Sequence, residues 1–309
     1  MNVLIIGYGS IGSRHYEILN TLGCHTSVVS NRELDFKRSY KCLDDALDKE
    51  KPDYIVIANK TNEHYSTMLK LKKIGFNGPV LVEKPLFQDL MKLPEQGFEN
   101  FFVAFNMRFN PLIQRMYQEI KGENIISAQA YVGQYLPQWR EGRDYRSFYS
   151  AHKAQGGGVL RDLSHELDFI NWLFGGWCYT SALGGHFSDL EIDSDDVFAL
   201  LLETKRCPVA TIQLNYIDKV TQRDFIVNTN KHTFKIDFIK KTFTKDSEVE
   251  AFQFERNFSY SMQHKAILED DMEFLCTLED GMDVQRLINA AENSAYSKKK
   301  CWVKNETNL

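Results

Sequence analysis

The chain has 309 residues, 43% of them hydrophobic and 26% charged, with a formal net charge of −5. That length suits two domains of ordinary size, each able to bury a core without metal or disulfide staples. The acidic balance excludes a global basic field for nucleic acid or an anionic membrane; Met1 runs straight into Val3–Gly7 without a signal-peptide pattern, and no apolar run reaches bilayer length, so a cytoplasmic protein is expected.

The first part alternates short β-rich runs with helical stretches. Asn2 to Ile6 reads as a buried strand and Ser10 to Leu22 as a helix. Thr26 to Ser30 and Tyr54 to Ala58 are further strands, the latter after a Pro52-Asp53 turn. A helix follows over Glu63 to Ile74, then strands at Val80 to Val82 and Phe101 to Ala104. This alternation predicts βαβ units and a doubly wound parallel sheet. After about residue 120 the pattern changes. Ile125 to Gly133 is a strand, and Gln134 to Gln155 is polar and aromatic. Gly156-Gly157-Gly158 opens a helix that reaches Phe174 and closes on Gly175-Gly176. Several strands follow between Tyr179 and Thr244, Val197 to Leu202 reading as a buried one, and Met262 to Lys298 is helical. The predicted domains are 1–118, a dinucleotide-binding Rossmann domain, and 119–309, an α+β domain for substrate and oligomerisation whose last helix can pack back on the first.

Six cysteines, Cys24, Cys42, Cys178, Cys207, Cys276 and Cys301, form no C-x-x-C pair and no zinc or disulfide spacing; reduced thiols are expected.

Gly7-Tyr8-Gly9-Ser10-Ile11-Gly12 is a G-x-G-x-x-G between a strand and a helix, the context in which that pattern binds dinucleotides. Gly7 permits the tight turn, Gly9 admits the pyrophosphate, and Gly12 lets helix and strand close up. The helix N-terminus offers free N–H groups and partial positive charge. At the end of the second strand stand Ser30, Asn31 and Arg32, with no acid at the tip to take a ribose 2′-hydroxyl. Ser30 and Arg32 suit a 2′-phosphate, which tips the expected cofactor, NAD(P), toward NADP.

Glu83-Lys84-Pro85 follows the strand Val80–Val82, at the carboxyl edge where open α/β sheets bind ligands. Pro85 keeps Lys84 extended, so its cation can meet a nicotinamide or a substrate oxygen. In Gly156–Asp168, Asp162 and His165 stand three apart and share a helix face, with Asp168 one turn on and Leu163, Leu167, Ile170 and Leu173 as packing. A metal reading of Asp162, His165 and Asp168 lacks further ligands, so no metal is expected.

Together these motifs resemble the Gfo/Idh/MocA oxidoreductases, the glucose–fructose oxidoreductase and inositol dehydrogenase family, over nearly the whole chain. The likeness includes Ala58-Asn59-Lys60-Thr61-Asn62-Glu63-His64, Glu83-Lys84-Pro85, Asn106-Met107-Arg108-Phe109-Asn110-Pro111, the triple glycine with Asp162 and His165, and Leu278-Glu279-Asp280-Gly281-Met282-Asp283 as a late helix start. Two features depart from the family: Lys60 stands where a proline is frequent, and the Asp162-to-His165 spacing is one residue shorter than in some members. The resemblance implies a Rossmann domain plus a large, mostly antiparallel open sheet. It also implies hydride transfer between a nicotinamide and a hydroxyl or carbonyl carbon of a sugar, nucleotide sugar or acidic sugar. It assigns Lys84, Asp162 and His165 to catalysis. With the readings above, Gly7 to Gly12, Ser30 to Arg32, Ala58, Asn59, His64, Glu83 and Lys84 are expected at the cofactor. An open sheet face invites self-association as a dimer or tetramer.

On this reading His165 is the general base, or acid in the reductive direction. Lys84 stabilises developing alkoxide and keeps His165 neutral. Asp162 holds a substrate hydroxyl or orients the other two. The segment Tyr135 to Ser150, rich in arginine and aromatics, is either a packing excursion or a lid. As a lid, its Arg140, Arg143 and Tyr149, with Arg108, would bind an anionic sugar. It resembles a subgroup of surface-polysaccharide pathways. The competing readings are a non-catalytic dinucleotide sensor and a lyase or glycosidase that uses bound NAD transiently.

Overall fold

The structure is a computed structural model that describes residues 1–94, 96–140, 142–297 and 302–307. Lys298 and Cys301, named above, and Glu141, within the Tyr135 to Ser150 segment, lie outside the described residues. The chain runs β1 (Asn2–Ile6), α1 (Ser10–Thr21), β2 (His25–Val29), β3 (Ser39–Tyr40), α2 (Leu43–Glu50), β4 (Tyr54–Ile57), α3 (Thr61–Lys73), β5 (Val80–Val82), β6 (Phe101–Val103) and α4 (Pro111–Glu119). It continues through β7 (Ile125–Gly133), four single 3-10 turns between Leu136 and Gln155, α5 (Val159–Asp162), α6 (His165–Leu173) and β8 (Trp177–Gly185). Next come β9 (Val197–Thr204), β10 (Val209–Asn215), β11 (Gln222–Thr229), β12 (Thr233–Asp237), β13 (Thr242–Lys245) and β14 (Glu248–Ala251). The last elements are α7 (Phe258–Glu269), β15 (Cys276–Thr277), α8 (Leu278–Tyr296) and β16 (Val303–Lys304).

Two compact units emerge: Met1–Phe109 with Glu255–Met282, and Asn110–Phe254 with the described residues from Asp283 on. The first is built on a sheet ordered β15-β6-β5-β4-β1-β2-β3, parallel except for β15. From β3 to β6 this is the order 3-2-1-4-5-6 of a doubly wound Rossmann sheet. Its central strands are apolar without alternation because both faces are covered: Val3, Leu4, Ile5, Val56, Ile57 and Leu81 are wholly buried. The order reverses between β1 and β4, paired from Val3↔Tyr54 to Ile6↔Ile57. A ligand crevice belongs at the carboxyl ends of strands at such a switch point. The second unit holds a nine-stranded sheet, β14-β13-β12-β11-β7-β10-β9-β8-β16. It is antiparallel except where β10 lies parallel to β7. The fold is thus α/β plus α+β, as expected.

Three expectations need correction. The stretch Val197–Leu202 is not a fully buried strand: in β9 buried Phe198, Leu200 and Leu202 alternate with exposed Ala199 and Leu201. Its apolar residues divide between a covered face and an open one, where Leu201, Val209 and Leu183 are also exposed. The helix expected from Gly156 to Phe174 is two, α5 and α6, because Leu163 leaves helical geometry at φ −100, ψ 30. The helix expected over 262–298 is also two, interrupted where β15 pairs with β6.

Candidate active site

The glycine turn is shaped by close backbone approach at two of its three glycines. Gly7 has φ +105, and a Cβ there would lie 2.4 Å from the Ala58 carbonyl oxygen. A Cβ on Gly12 would lie 2.1 Å from the Gly7 oxygen. Both positions serve the packing of α1 against β1 and β4. Gly9 differs, since a Cβ there meets nothing within 4 Å. Gly9 is also the N-cap of α1, with no side-chain cap, and the helical ladder begins with Ser13 N–H donating to the Gly9 carbonyl, 2.9 Å. The N–H groups of Ser10, Ile11 and Gly12 precede that first bond, and open space lies over Gly9. That cradle fits a phosphate. Beside it the rings of Tyr8, Tyr16 and Phe36 pack together at 5.1 to 5.8 Å.

Beyond β2, Ser30 Oγ accepts the Arg32 N–H at 3.1 Å, closing a tight turn that leaves Asn31 and Arg32 exposed. Lys41 braces this tip. Its ammonium donates to the carbonyls of Asn31 (3.2 Å) and Arg32 (2.8 Å). It also meets Glu33 at 3.0 Å, so the nearest acid is already paired with a lysine. Sequence reasoning passed over Lys41, which stands in no motif.

At the carboxyl ends of β4 and β5, several residues expected at the cofactor are braced by the protein itself. His64 is buried, its Nδ1 3.1 Å from the Leu86 carbonyl and its Nε2 3.4 Å from the Asn59 carbonyl. Burial pushes its imidazole below its ordinary pKa. A neutral ring has one N–H, so His64 donates to one of these two carbonyls, the shorter contact being the one to Leu86 after Pro85. Asn59 donates to Thr67 Oγ1 at 3.0 Å, and among the described residues its buried Oδ1 has no hydrogen-bond partner; Ala58 packs against Gly7. Glu83 commits both oxygens: Oε1 lies 2.8 Å from Nε2 of His15, and Oε2 accepts the Lys84 N–H at 3.0 Å. The Lys84–Pro85 peptide is cis. Arg108, expected at the substrate, is buried, with Nη1 3.0 Å from Asp280 Oδ2 and 3.5 Å from the Leu275 carbonyl. Its guanidinium ties the 106–109 turn to the start of α8 and is spent on the fold.

In the second unit the triple glycine is explained by crowding. A Cβ on Gly157 would lie 2.1 Å from the Tyr149 carbonyl, and one on Gly158, at φ +121, would lie 2.3 Å from Asp195 Oδ1. Asp195 in turn accepts the Leu160 N–H at 2.9 Å, anchoring α5, and burial pushes its carboxyl up to about 6. A two-pronged ion pair from Arg161 to Glu292, 2.5 and 3.0 Å, holds α5 against α8.

This places Asp162 between two phenols. Tyr149 donates to its Oδ1 at 2.5 Å, and Tyr216 donates to its Oδ2 at 2.6 Å. Burial and the facing carboxylate push both phenols well above their ordinary pKa, so both stay protonated donors. Tyr149 was expected to bind substrate; the residue is 37% exposed, while its hydroxyl is bonded to Asp162. Tyr216 was missed, since it lies 54 residues from Asp162 just beyond β10 and no motif marks it. His165 is half-buried at the first turn of α6. In the aromatic segment Arg140 lies 4.7 Å over the Phe148 ring, and Arg143 is exposed. Among the described residues no group of three His, Cys, Asp or Glu could hold a metal ion, and no helix is long and apolar enough to cross a membrane.

Tyr216→Phe should cost about 1.5–3 kcal/mol of stability, the range for a buried hydrogen bond to a charged group. It would be read as a lower denaturation midpoint at unchanged slope. An unchanged midpoint would mean that this hydroxyl does not hold Asp162.

Comparison with known proteins places this geometry in a family. Residues 1–96 match the model described as oxidoreductase family, NAD-binding Rossmann fold, and residues 113–235 match the GFO/IDH/MocA C-terminal domain. The chain belongs to the GFO/IDH/MocA oxidoreductases. Solved structures agree in fold over almost the entire length. GenD2 from gentamicin A biosynthesis, in complex with NAD, is 19% identical with a TM-score of 0.80, over 99% of this chain and 96% of that one. A levoglucosan dehydrogenase in complex with NADH is 15% identical with a TM-score of 0.83, over 98% of both chains. The WlbA dehydrogenase from Bordetella pertussis, in complex with NADH and UDP-GlcNAcA, is 16% identical with a TM-score of 0.77, also over 98% of both. No curated protein sequence matches this one. As a GFO/IDH/MocA member the chain is an NAD-binding oxidoreductase.

Proposed function

We propose that this oxidoreductase transfers a hydride between NAD(P) and a hydroxyl or carbonyl carbon of a sugar, with a nucleotide sugar or sugar acid as the first candidate. The observation that carries the reading is the open space over Gly9 at the uncapped N-terminus of α1, joined to the family match. The substrate class draws on structural neighbours in complex with levoglucosan and with UDP-GlcNAcA, and on Arg140 and Arg143 in the aromatic segment. The nicotinamide supplies the hydride chemistry.

The residues supply binding, orientation and proton transfer. The N–H groups of Ser10, Ile11 and Gly12 hold the pyrophosphate. His165 takes the hydroxyl proton, or returns it in the reductive direction, a role suited to an imidazole near neutrality. Lys84 lends a cation to the developing alkoxide. Asp162, with two phenols on its oxygens, is a fixed acceptor that orients a substrate hydroxyl.

The exposed Arg32 and the lysine-paired Glu33 favour a 2′-phosphate, hence NADP. Arg32→Ala should then weaken NADPH binding about tenfold while leaving NADH affinity nearly unchanged, the effect of losing a charge-assisted contact. Equal losses for both dinucleotides would refute the preference. The test of function is a panel of free sugars, sugar acids and nucleotide sugars incubated with NAD and NADP, followed by absorbance of the reduced nicotinamide. Net reduction with one substrate supports the reading. Cofactor binding without turnover across the panel favours a sensor, and substrate cleavage without net reduction favours a lyase or glycosidase.

A further inference from the structure

Beneath the glycine turn four polar side chains of the first unit form a single file. Tyr54, at the start of β4, brings its hydroxyl to 2.9 Å from Nδ1 of His264 on α7. Nε2 of His264 lies 2.8 Å from Nδ1 of His15 on α1. Nε2 of His15 lies 2.8 Å from Oε1 of Glu83, whose other oxygen accepts the Lys84 N–H. Tyr54, His15 and His264 are wholly buried, and Glu83 nearly so. Burying four polar groups in one place is costly unless each is satisfied. A core that required only filling would use apolar side chains here.

The direction of the file follows from its ends. Burial keeps the Tyr54 phenol protonated and, with His15 alongside, keeps His264 neutral. At the other end a carboxylate only accepts. His15 Nε2–H therefore donates to the Glu83 carboxylate. With a neutral His15 the other two bonds run in the same sense, Tyr54 O–H donating to His264 and His264 Nε2–H to His15. Three donors in series then point at the carboxylate, an arrangement in which each bond strengthens the next.

We propose that His15 and Glu83 are positioning residues that fix the backbone of Lys84, with His264 and Tyr54 as the backing of the file. α1 carries the phosphate cradle at its start and His15 one turn further on. Glu83 is the link from that helix to the Lys84 peptide. The file thus sets the place of the Lys84 backbone relative to the phosphate cradle, within one unit. The catalytic meaning of this link rests on the proposed role of Lys84, whereas its physical reality does not.

Two readouts on the full chain separate these matters. The first is hydrogen exchange at the Lys84 amide. In His15→Leu the carboxylate loses its anchor, and exchange should accelerate on the order of tenfold, as when one hydrogen bond to a charged group is lost. His15→Gln, whose amide can again donate to Glu83, should restore the wild-type rate. The second readout, made with NADH and any substrate the panel identifies, is the split between kcat and NADH affinity. His15→Leu should lower kcat on the order of tenfold and leave NADH dissociation near wild type. Should His15→Leu fail to fold, Glu83→Gln carries the same test, because its amide has one acceptor oxygen and cannot accept from both His15 and the Lys84 N–H. Unchanged Lys84 exchange in the folded variant overturns the proposal. Accelerated exchange with unchanged kcat leaves the anchor standing and removes the catalytic role of Lys84 with its positioning. Loss of NADH affinity in step with kcat overturns the positioning role and makes His15 a support of the cradle alone.

Discussion

Lys84→Met and His165→Ala should each lower turnover by about 10²–10⁴-fold while NADH affinity stays near wild type, the scale of removing a general acid–base or a charge that stabilises the transition state. Lys84 follows β5 at the carboxyl edge of the Rossmann sheet, and its backbone N–H is bonded to Glu83. Methionine keeps the length of the side chain and removes the cation, so the substitution isolates charge from packing. His165 opens α6, three residues beyond the end of α5, whose last residue, Asp162, is gripped by Tyr149 and Tyr216. Single-turnover kinetics with saturating NAD(P) separates chemistry from product release. Near-normal single turnovers in both variants would refute the assignment. A large loss in one alone would assign the proton transfer to the residue replaced in that variant.

Gly12→Ala should destabilise the protein while Gly9→Ala should not. The added methyl carbon at Gly12 would sit 2.1 Å from the Gly7 oxygen, and backbone cannot yield as a flexible side chain can. Overpacking of that kind costs about 1–3 kcal/mol or more, which lowers the melting temperature by several degrees in a chain of this size. At Gly9, with φ −86 and nothing within 4 Å, the same methyl is tolerated. Thermal melts of the two variants without cofactor decide it, and equal melting temperatures would contradict the packing argument.

The first sheet was legible because its strands are short apolar runs with glycine and proline between them, and a buried parallel strand leaves little else to read. The glycine turn was legible for a related reason: Gly7 and Gly12 stand where only glycine fits. β3 and α2 were not foreseen. β3 has two residues, and α2 is acidic, with Ala46 as its buried residue. The break between α5 and α6 was hidden because Asp162, Leu163 and Ser164 suit a helix locally, so Asp162 and His165 could not be separated by spacing alone. A candidate such as Lys84 could be named because it stands within a single short motif. The site was illegible where distant residues meet. Tyr216 on Asp162 and His264 on His15 join positions that nothing in the intervening sequence connects. Arg108 and Glu83 were assigned outward duties because arginine and glutamate suggest ligands, whereas both turn inward to Asp280 and to His15.

Calorimetric titration with NADH and NADPH of the wild-type chain and of Gly9→Val tests the central claim most directly, because Gly9 is the cradle position where protein packing and ligand space separate. The wild type should bind one dinucleotide per chain. Gly9→Val, folded and melting like wild type, should bind at least about a hundredfold more weakly, since its side chain fills the room a pyrophosphate needs. Equal affinity in the two proteins, or no binding of either dinucleotide to the wild type, would contradict the account.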